Sequence, residues 1–333
     1  MNIYDVSKKA GVSIATVSRV INGNNNVSEK TKQKVLTVMK EIGYTPNVFA
    51  RGLGLNTMKT IGIMCTDSSD SYLANAIYFL ERELRSNGYD AILCCTGNEL
   101  NTKKDYLELL LSKRVDAIIL VGSKFLETKP NDNKYIIDAA KKLPIMLVNG
   151  YLEGENIYGT LCDDESAVYS VTDALIKNGR RDIVYLYTNT SLSGQRKLAG
   201  FKKAHFVHNI PITNDYIHLC NVSIVNAREY LSELHQHGKR FNAVVTSDDL
   251  LAVGALKFAH AHNISIPDEL SIVGYNNSLV ANCTDPELTS IDNKVEALCI
   301  TTVNTLMGVF KGSNVPCKTN ITADIIKRGT TLI

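Results

Sequence analysis

Two groups of residues have types and spacings that could do chemistry. Over residues 14–21, Val17, Val20 and Ile21 recur at i, i+3 and i+4 and so share one helical face, leaving Ile14, Ala15, Thr16, Ser18 and Arg19 on the other. A helix facing only solvent usually carries Lys and Glu. This face carries small residues, hydroxyls and one arginine, the set that fits a DNA major groove, where arginine can fork onto guanine. The second group is polar and follows short apolar runs, at 67–72, 123–124, 149, 193–197, 248–249 and 276–277. Loops at the carboxyl ends of parallel strands are where open α/β sheets hold small ligands.

The first group needs a helix-turn-helix to present it. Residues 2–10 read as a short helix, with Asn2 as cap, Asp5 at the third helical position, and Val6 and Ala10 on one face. Gly11 opens a tight turn, Val12 plugs the angle, and Ser13 caps the second helix. A third helix is capped by Ser28, buries Val35, Val38 and Ile42, and stops at Gly43. Pro46 ends this unit. Residues 47–55 could form two helical turns, but with Gly52 and Gly54 inside they are too short to be stable alone and should order only with a partner.

The second group needs a parallel sheet. From Thr60 onward apolar runs alternate with amphipathic helix-length stretches. Strands are expected at 60–65, 91–95, 117–122, 145–149, 159–162, 183–187, 218–220, 243–246 and 271–274. Helices are expected at 72–87, 103–113, 165–178, 195–206 and 250–262. That count suggests two doubly wound halves.

With 333 residues, 44% of them hydrophobic and 21% charged, the chain is long enough for several packed units and too ordinary in composition for a disordered or fibrous protein. The net charge of +2 conceals an asymmetry, +5 over residues 1–58 and −3 over the rest, and a basic head suits a polyanion. Eight scattered cysteines without C-x-x-C spacing argue against zinc and suggest a reducing compartment. No apolar run approaches the ~18 residues that cross a bilayer, and the N-terminus has no leader pattern. The expectation is a cytoplasmic, nucleoid-associated protein, neither membrane-embedded nor secreted. An α/β enzyme is the main rival, but G-x-G-x-x-G after a strand, the P-loop pattern, H-E-x-x-H and G-x-S-x-G are all missing. No metal, cofactor or catalytic residue is assigned. A sugar-binding transport protein is opposed by the basic head and the missing leader.

The run Asp5-Val6, Ala10-Gly11-Val12-Ser13, Thr16-Val17-Ser18-Arg19-Val20, Asn22-Gly23, Val27-Ser28, Gly43-Tyr44, Pro46-Asn47 and Ala50-Arg51 resembles the head of the lactose-repressor/galactose-repressor family of bacterial transcription regulators. The remainder resembles that family's periplasmic-binding-protein-like effector domain. The resemblance implies a head at 1–46, a hinge at 47–58 and an effector-binding, dimerising body at 59–333. Its first half would be 59–162 plus 290–325, taking in a helix at 295–310, and its second half 163–289. It implies that Ile14 and Ala15 read base edges and that Arg19 lies near a guanine. Tyr4, Ser13, Thr16, Ser18, Asn22 and Asn26 would fix register on phosphates and neighbouring edges, and Leu53, beside Ala50, would wedge into the minor groove at the operator centre.

For the cleft, the resemblance points to Tyr72, Asn149, Lys197 with Arg196 adjacent, Asp248 and Asn276. Lys197 stands where the family has Arg, Asp248 where it has Asn, and Asn276 where it has Asp, so a sugar acid or sugar phosphate becomes an expectation beside a neutral sugar. The implied protein is a repressor of carbohydrate metabolism, a homodimer on a pseudo-palindromic operator in double-stranded DNA, released or engaged by its effector.

Overall fold

The computed structural model describes residues 1–23, 26–45 and 57–333. Ala50, Leu53 and the helix expected at 47–55 lie outside the described residues.

The head has three helices, α1 (Ile3–Ala10), α2 (Ile14–Ile21) and α3 (Glu29–Glu41). The caps are those the sequence predicts. Asn2 Oδ1 accepts from the Tyr4 and Asp5 amides at 2.9 and 3.2 Å, and the Asp5 carboxylate accepts from the Asn2 amide at 2.8 Å, closing a capping box. Gly11 ends α1 at φ +62°, where a side chain would be strained, and Ser13 Oγ accepts from the Thr16 amide at 3.1 Å to start α2. Val6, Ala10, Val17, Val20, Val35 and Val38 form the head's core. At the head's edge a Lys9–Glu41 ion pair of 3.1 Å joins α1 to α3.

The body comprises two six-stranded sheets. The first has the order β11-β5-β4-β3-β1-β2, from β1 (Thr60–Cys65), β2 (Asp90–Cys95), β3 (Ala117–Val121), β4 (Ile145–Val148), β5 (Ile157–Cys162) and β11 (Lys318–Ile321). The second has the order β12-β10-β9-β8-β6-β7, from β6 (Ile183–Tyr187), β7 (Ile217–Leu219), β8 (Ala243–Thr246), β9 (Ser271–Tyr275), β10 (Thr289–Asp292) and β12 (Asp324–Ile326). Every pairing is parallel except that of β12 with β10. The central strands are buried on both faces, which is why they read as unbroken apolar runs.

The first sheet is flanked by α4 (Ser71–Ser86), α5 (Leu100–Ser112), α6 (Lys134–Ala140) and α12 (Val295–Phe310). The second is flanked by α7 (Asp164–Lys177), α8 (Leu192–Val207), α9 (Ile224–Gln236), α10 (Asp249–Ala261) and the one-turn α11 (Leu279–Asn282). Leu298, Cys299, Val303 and Leu306 of α12 pack with Leu73, Ala76 and Leu80 of α4, so that helix belongs with the first half, as the resemblance implied.

The boundaries of the halves differ from the expectation. Strand β10 pairs with β9 over Thr289–Ile291 and with β12 as far as Asp292, so residues 290–292 still belong to the second sheet. The chain crosses once more, since β12 and the C-terminal tail return to the second sheet, where the Thr330 hydroxyl accepts from the Thr289 amide and donates to the Ile272 carbonyl. Strands β10 to β12 are missing from the sequence reading because Thr-Ser-Ile-Asp, Lys-Thr-Asn-Ile and Asp-Ile-Ile are too short and polar to show as apolar runs.

Candidate DNA-reading face and interdomain cleft

On α2 the scaffold holds the expected face outward. Ile14 is 39% exposed, and Ala15 and Arg19 are exposed beside it, while Val17 and Val20 are buried beneath. Tyr4 (66% exposed) stands at the start of α1, and Asn26 is exposed before α3. The hydroxyls are less free than the side chains around them. Ser13 Oγ caps α2 and lies 2.9 Å from Thr16 Oγ1, and the Asn22 amide donates to Ser18 Oγ at 3.4 Å. Thr16, Ser18 and Asn22 are half-buried. Ile14, Ala15 and Arg19 are therefore the α2 positions most open to a groove.

The cleft lies between the two sheets, with about 720 Å³ of empty space that runs out into open solvent. Its walls are the strand ends. Thr66 follows β1, Gly122 and Ser123 follow β3, Asn149 follows β4, Thr188 follows β6, Ser247 and Asp248 follow β8, and Asn276 follows β9. Tyr72, Asn149, Lys197, Asp248 and Asn276 all line it. Arg196 does not. One residue back on α8 turns its side chain about 100° around the axis, so Lys197 takes the inward position and is 8% exposed, while Arg196 is half-buried away from the cleft.

Lys197 Nζ donates to the Ser247 carbonyl at 3.2 Å and sits 3.5 Å above the Tyr275 ring. Burial lowers its pKa, and the nearby Asp164 and Asp248 carboxylates oppose that shift. Tyr275 OH in turn donates to Asp164 in a buried bond. Asp248 is pushed up to about 6, chiefly by burial, against the Leu250 amide that donates to its Oδ1 at 2.8 Å.

A chain of amides holds the other oxygen of Asp248. Asn276 Nδ2 donates to Asp248 Oδ2 at 3.0 Å, and Asn293 Nδ2 donates to Asn276 Oδ1 at 2.9 Å. Asn293 Oδ1 and Tyr72 OH are buried without a hydrogen-bond partner in the structure. Such atoms cost free energy unless a ligand or water meets them, and both belong to residues that line the cleft. Two contacts join the walls: Ser123 Oγ donates to Ser191 Oγ at 2.8 Å, and Asn149 Nδ2 to Ser193 Oγ at 3.5 Å.

The sequence reading missed Asn293 and Ser191. Ser123 and Ser193 fall in loops it singled out, but nothing in the local pattern marks Asn293, which reaches the cleft only because β10 belongs to the second sheet. Asp249, in another of those loops, is structural. It is 1% exposed and accepts from the Ser278 amide and hydroxyl and from Ser290 Oγ.

Residues 2–47 match the family described as bacterial regulatory proteins, lacI family, and residues 58–329 match periplasmic binding proteins and sugar binding domain of LacI family. The chain is 62% identical to an HTH-type transcriptional regulator of Lachnoclostridium phytofermentans over 331 residues, covering 99% of each. It is 29% identical to the HTH-type transcriptional regulator AscG of Escherichia coli, covering 98% of this chain and 97% of that one. Among solved structures it resembles the Lac repressor dimer bound to operator and the anti-inducer ONPF, with a TM-score of 0.90 at 23% identity, covering 100% of this chain and 99% of that one.

Proposed function

The chain belongs to the LacI family of bacterial regulatory proteins, and from that premise we propose that it is a sequence-specific transcriptional repressor whose operator affinity is set by a sugar held in the cleft. The observation that carries this reading is the pairing of an exposed Ile14-Ala15-Arg19 face with a cleft whose buried polar atoms, Tyr72 OH and Asn293 Oδ1, are left for a ligand. In this reading Ile14 and Ala15 meet base edges and Arg19 a guanine. Tyr4, Ser13, Thr16, Ser18, Asn22 and Asn26 hold phosphates or neighbouring edges, and Leu53 with Ala50 acts at the operator centre. The domain limits at 46, 58 and 162 are part of the same proposal, as are the absence of enzymatic activity and a cytoplasmic location. Among the described residues no helix is long and apolar enough to cross a membrane.

The geometry favours a neutral sugar over a sugar acid or sugar phosphate. Asn276 removes a carboxylate at one position, but Asp248 supplies one 3.0 Å away, so the cleft keeps its negative charge opposite Lys197. Lys124 and Asp70 add one further charge of each sign to the lining. A carboxylate flanked by amides suits pairs of hydroxyls, whereas an added anion would face Asp248 in a desolvated site.

A homodimer is supported by the two edge strands, which expose Leu93 (46%) on β2 and Leu219 (50%) on β7, with Tyr78 and Leu279 exposed on α4 and α11. The test is selection of double-stranded oligonucleotides by the full chain, repeated with a panel of neutral sugars and hexuronates. Enrichment of a two-fold-symmetric sequence, with thermal stabilisation by a neutral sugar that also alters duplex affinity, is the expected result. No preferred duplex would overturn the regulator reading, and stabilisation by hexuronates alone would overturn the neutral-sugar reading.

A further inference from the structure

Asp116 stands at the opposite end of the first sheet from the cleft, immediately before β3, and its carboxylate is taken up by the segment that enters the body from the head. Thr57 Oγ1 donates to Asp116 Oδ2 at 2.9 Å, the Met58 amide to Oδ1 at 3.0 Å and the Thr60 amide to Oδ2 at 3.1 Å. The Asp116 amide donates to the Thr60 carbonyl at 2.8 Å, and the Asp90 amide to the Lys59 carbonyl at 2.8 Å. Thr57 Oγ1 also accepts from the Lys59 amide at 3.2 Å. Residues 57–60 are thus fastened to strands β1, β2 and β3 together. A carboxylate accepting several N–H and O–H donors is a strong and directional anchor, because each bond is charge-assisted.

The strand behind this anchor is rigid. Ala117, Ile118, Ile119, Leu120 and Val121 are all buried, and β3 pairs with β1 on one side and β4 on the other. Five residues at about 3.3 Å each set the two ends of β3 roughly 17 Å apart. At the far end Gly122 and Ser123 line the cleft, and Ser123 makes the 2.8 Å bond to Ser191 of the second half. Asp116 and Gly122 flank β3 directly, so a single strand joins the cleft to residues 57–60 with no intervening loop.

We propose that Asp116 is the positioning residue that fixes where and in which direction the chain leaves the body toward the head, and that operator discrimination depends on it. This rests on the regulator reading above. In a dimer, two heads must reach two half-sites at once, and a fixed exit raises the effective concentration of the second head after the first has bound. Length alone does not account for such an effect. Freeing residues 57–60 adds only a few residues of flexible chain between body and head, and with a −3/2 power dependence on length that changes affinity by under about twofold. A larger loss therefore reports direction.

The experiment uses the full chain, the duplex selected from a random library by the parent protein, and a random-sequence duplex of the same length. Asp116→Ala is expected to weaken binding to the selected duplex by about tenfold or more, with the random duplex changed by under about twofold and the thermal midpoint of the body within a few degrees of the parent. Thr57→Val, which removes one donor and keeps the backbone bonds, is expected to move the same way by a smaller factor, and Asp116→Asn, which keeps one acceptor oxygen, to fall between. Selected-duplex affinity within twofold of the parent in Asp116→Ala and Thr57→Val would overturn the proposal. If Asp116→Ala does not fold, Thr57→Val decides by the same criterion. Equal losses on both duplexes would also overturn it, since a positioning role acts only where both half-sites are engaged. A parent that prefers no duplex overturns the regulator reading itself, a result distinct from a parent that discriminates and variants that do so equally well.

Discussion

The head and the cleft place polar chemistry in opposite physical settings. On α2, Ile14, Ala15 and Arg19 are exposed and contribute nothing to the small core of Val6, Ala10, Val17, Val20, Val35 and Val38 below them. In the cleft, Asp248, Asn276, Asn293 and Lys197 are tied to one another or to the strand ends, and their environment shifts Lys197 down and Asp248 up. An exposed reading face can change without disturbing the fold, because its side chains are solvated in both states. A buried recognition network cannot, because removing one member leaves the polar groups it was bonded to buried without a partner.

The largest effect is expected on the head. Arg19→Ala should weaken binding to the selected duplex by about ten- to a hundredfold, the range for a bidentate arginine–guanine contact. The random duplex should change far less and the thermal midpoint not at all. A fall in thermal midpoint would break the contrast, since it would place Arg19 in the fold and not only on its face.

The next effect belongs to the wall that carries Lys197. A Cβ on Gly200 would stand 2.2 Å from the Glu165 carbonyl oxygen and 2.9 Å from the Tyr169 amide, so α7 and α8 approach as closely as they do only because this residue is glycine. Gly200→Ala should cost about 1–3 kcal/mol, the usual penalty of overpacking, and should weaken sugar binding as α8 shifts. Calorimetry of the full chain with and without sugar would measure both. Unchanged stability would show that the helices yield easily and that the cleft wall is softer than the packing indicates.

The smallest effect is a pH dependence of opposite sign in the free and bound protein. The Asp248 carboxyl, raised to about 6 from an ordinary value of 3.8, is protonated in the folded chain at pH values where the unfolded chain has already lost that proton. Its stabilising contribution is therefore present below the ordinary value and is lost as pH rises through 6. Sugar hydroxyls, by contrast, are best held by the ionised form. Thermal stabilisation by sugar should thus fall between pH 7 and 5, by no more than about tenfold in affinity per pH unit, while the sugar-free protein gains stability from this group over the same range. Asp248→Asn should abolish both trends. Sugar binding that strengthens toward pH 5 would mean that the protonated acid is the recognising species.

Legibility in the sequence followed the same division. The head was readable almost to the residue, since caps at Asn2, Ser13 and Ser28 and the spacing of its valines depend on contacts within a few positions of one another. The long central strands were readable as well, because burial on both faces leaves an unbroken apolar run. The short, polar strands β10 to β12 were not, and the limits of the two halves shifted with them.

What the sequence alone determined, then, is everything set by neighbours along the chain: the helix-turn-helix, the exposed α2 face, the alternation of strands and helices, and the loops in which a cleft must be sought. The tertiary structure decided which members of those loops meet. It turned Lys197 inward and Arg196 away, set Asp248 beside Asn276, brought Asn293 to the amide chain from a strand the sequence did not reveal, and hung residues 57–60 on Asp116. These contacts join positions dozens of residues apart, where chain periodicity carries no information and only the pairing order of the strands brings the partners together.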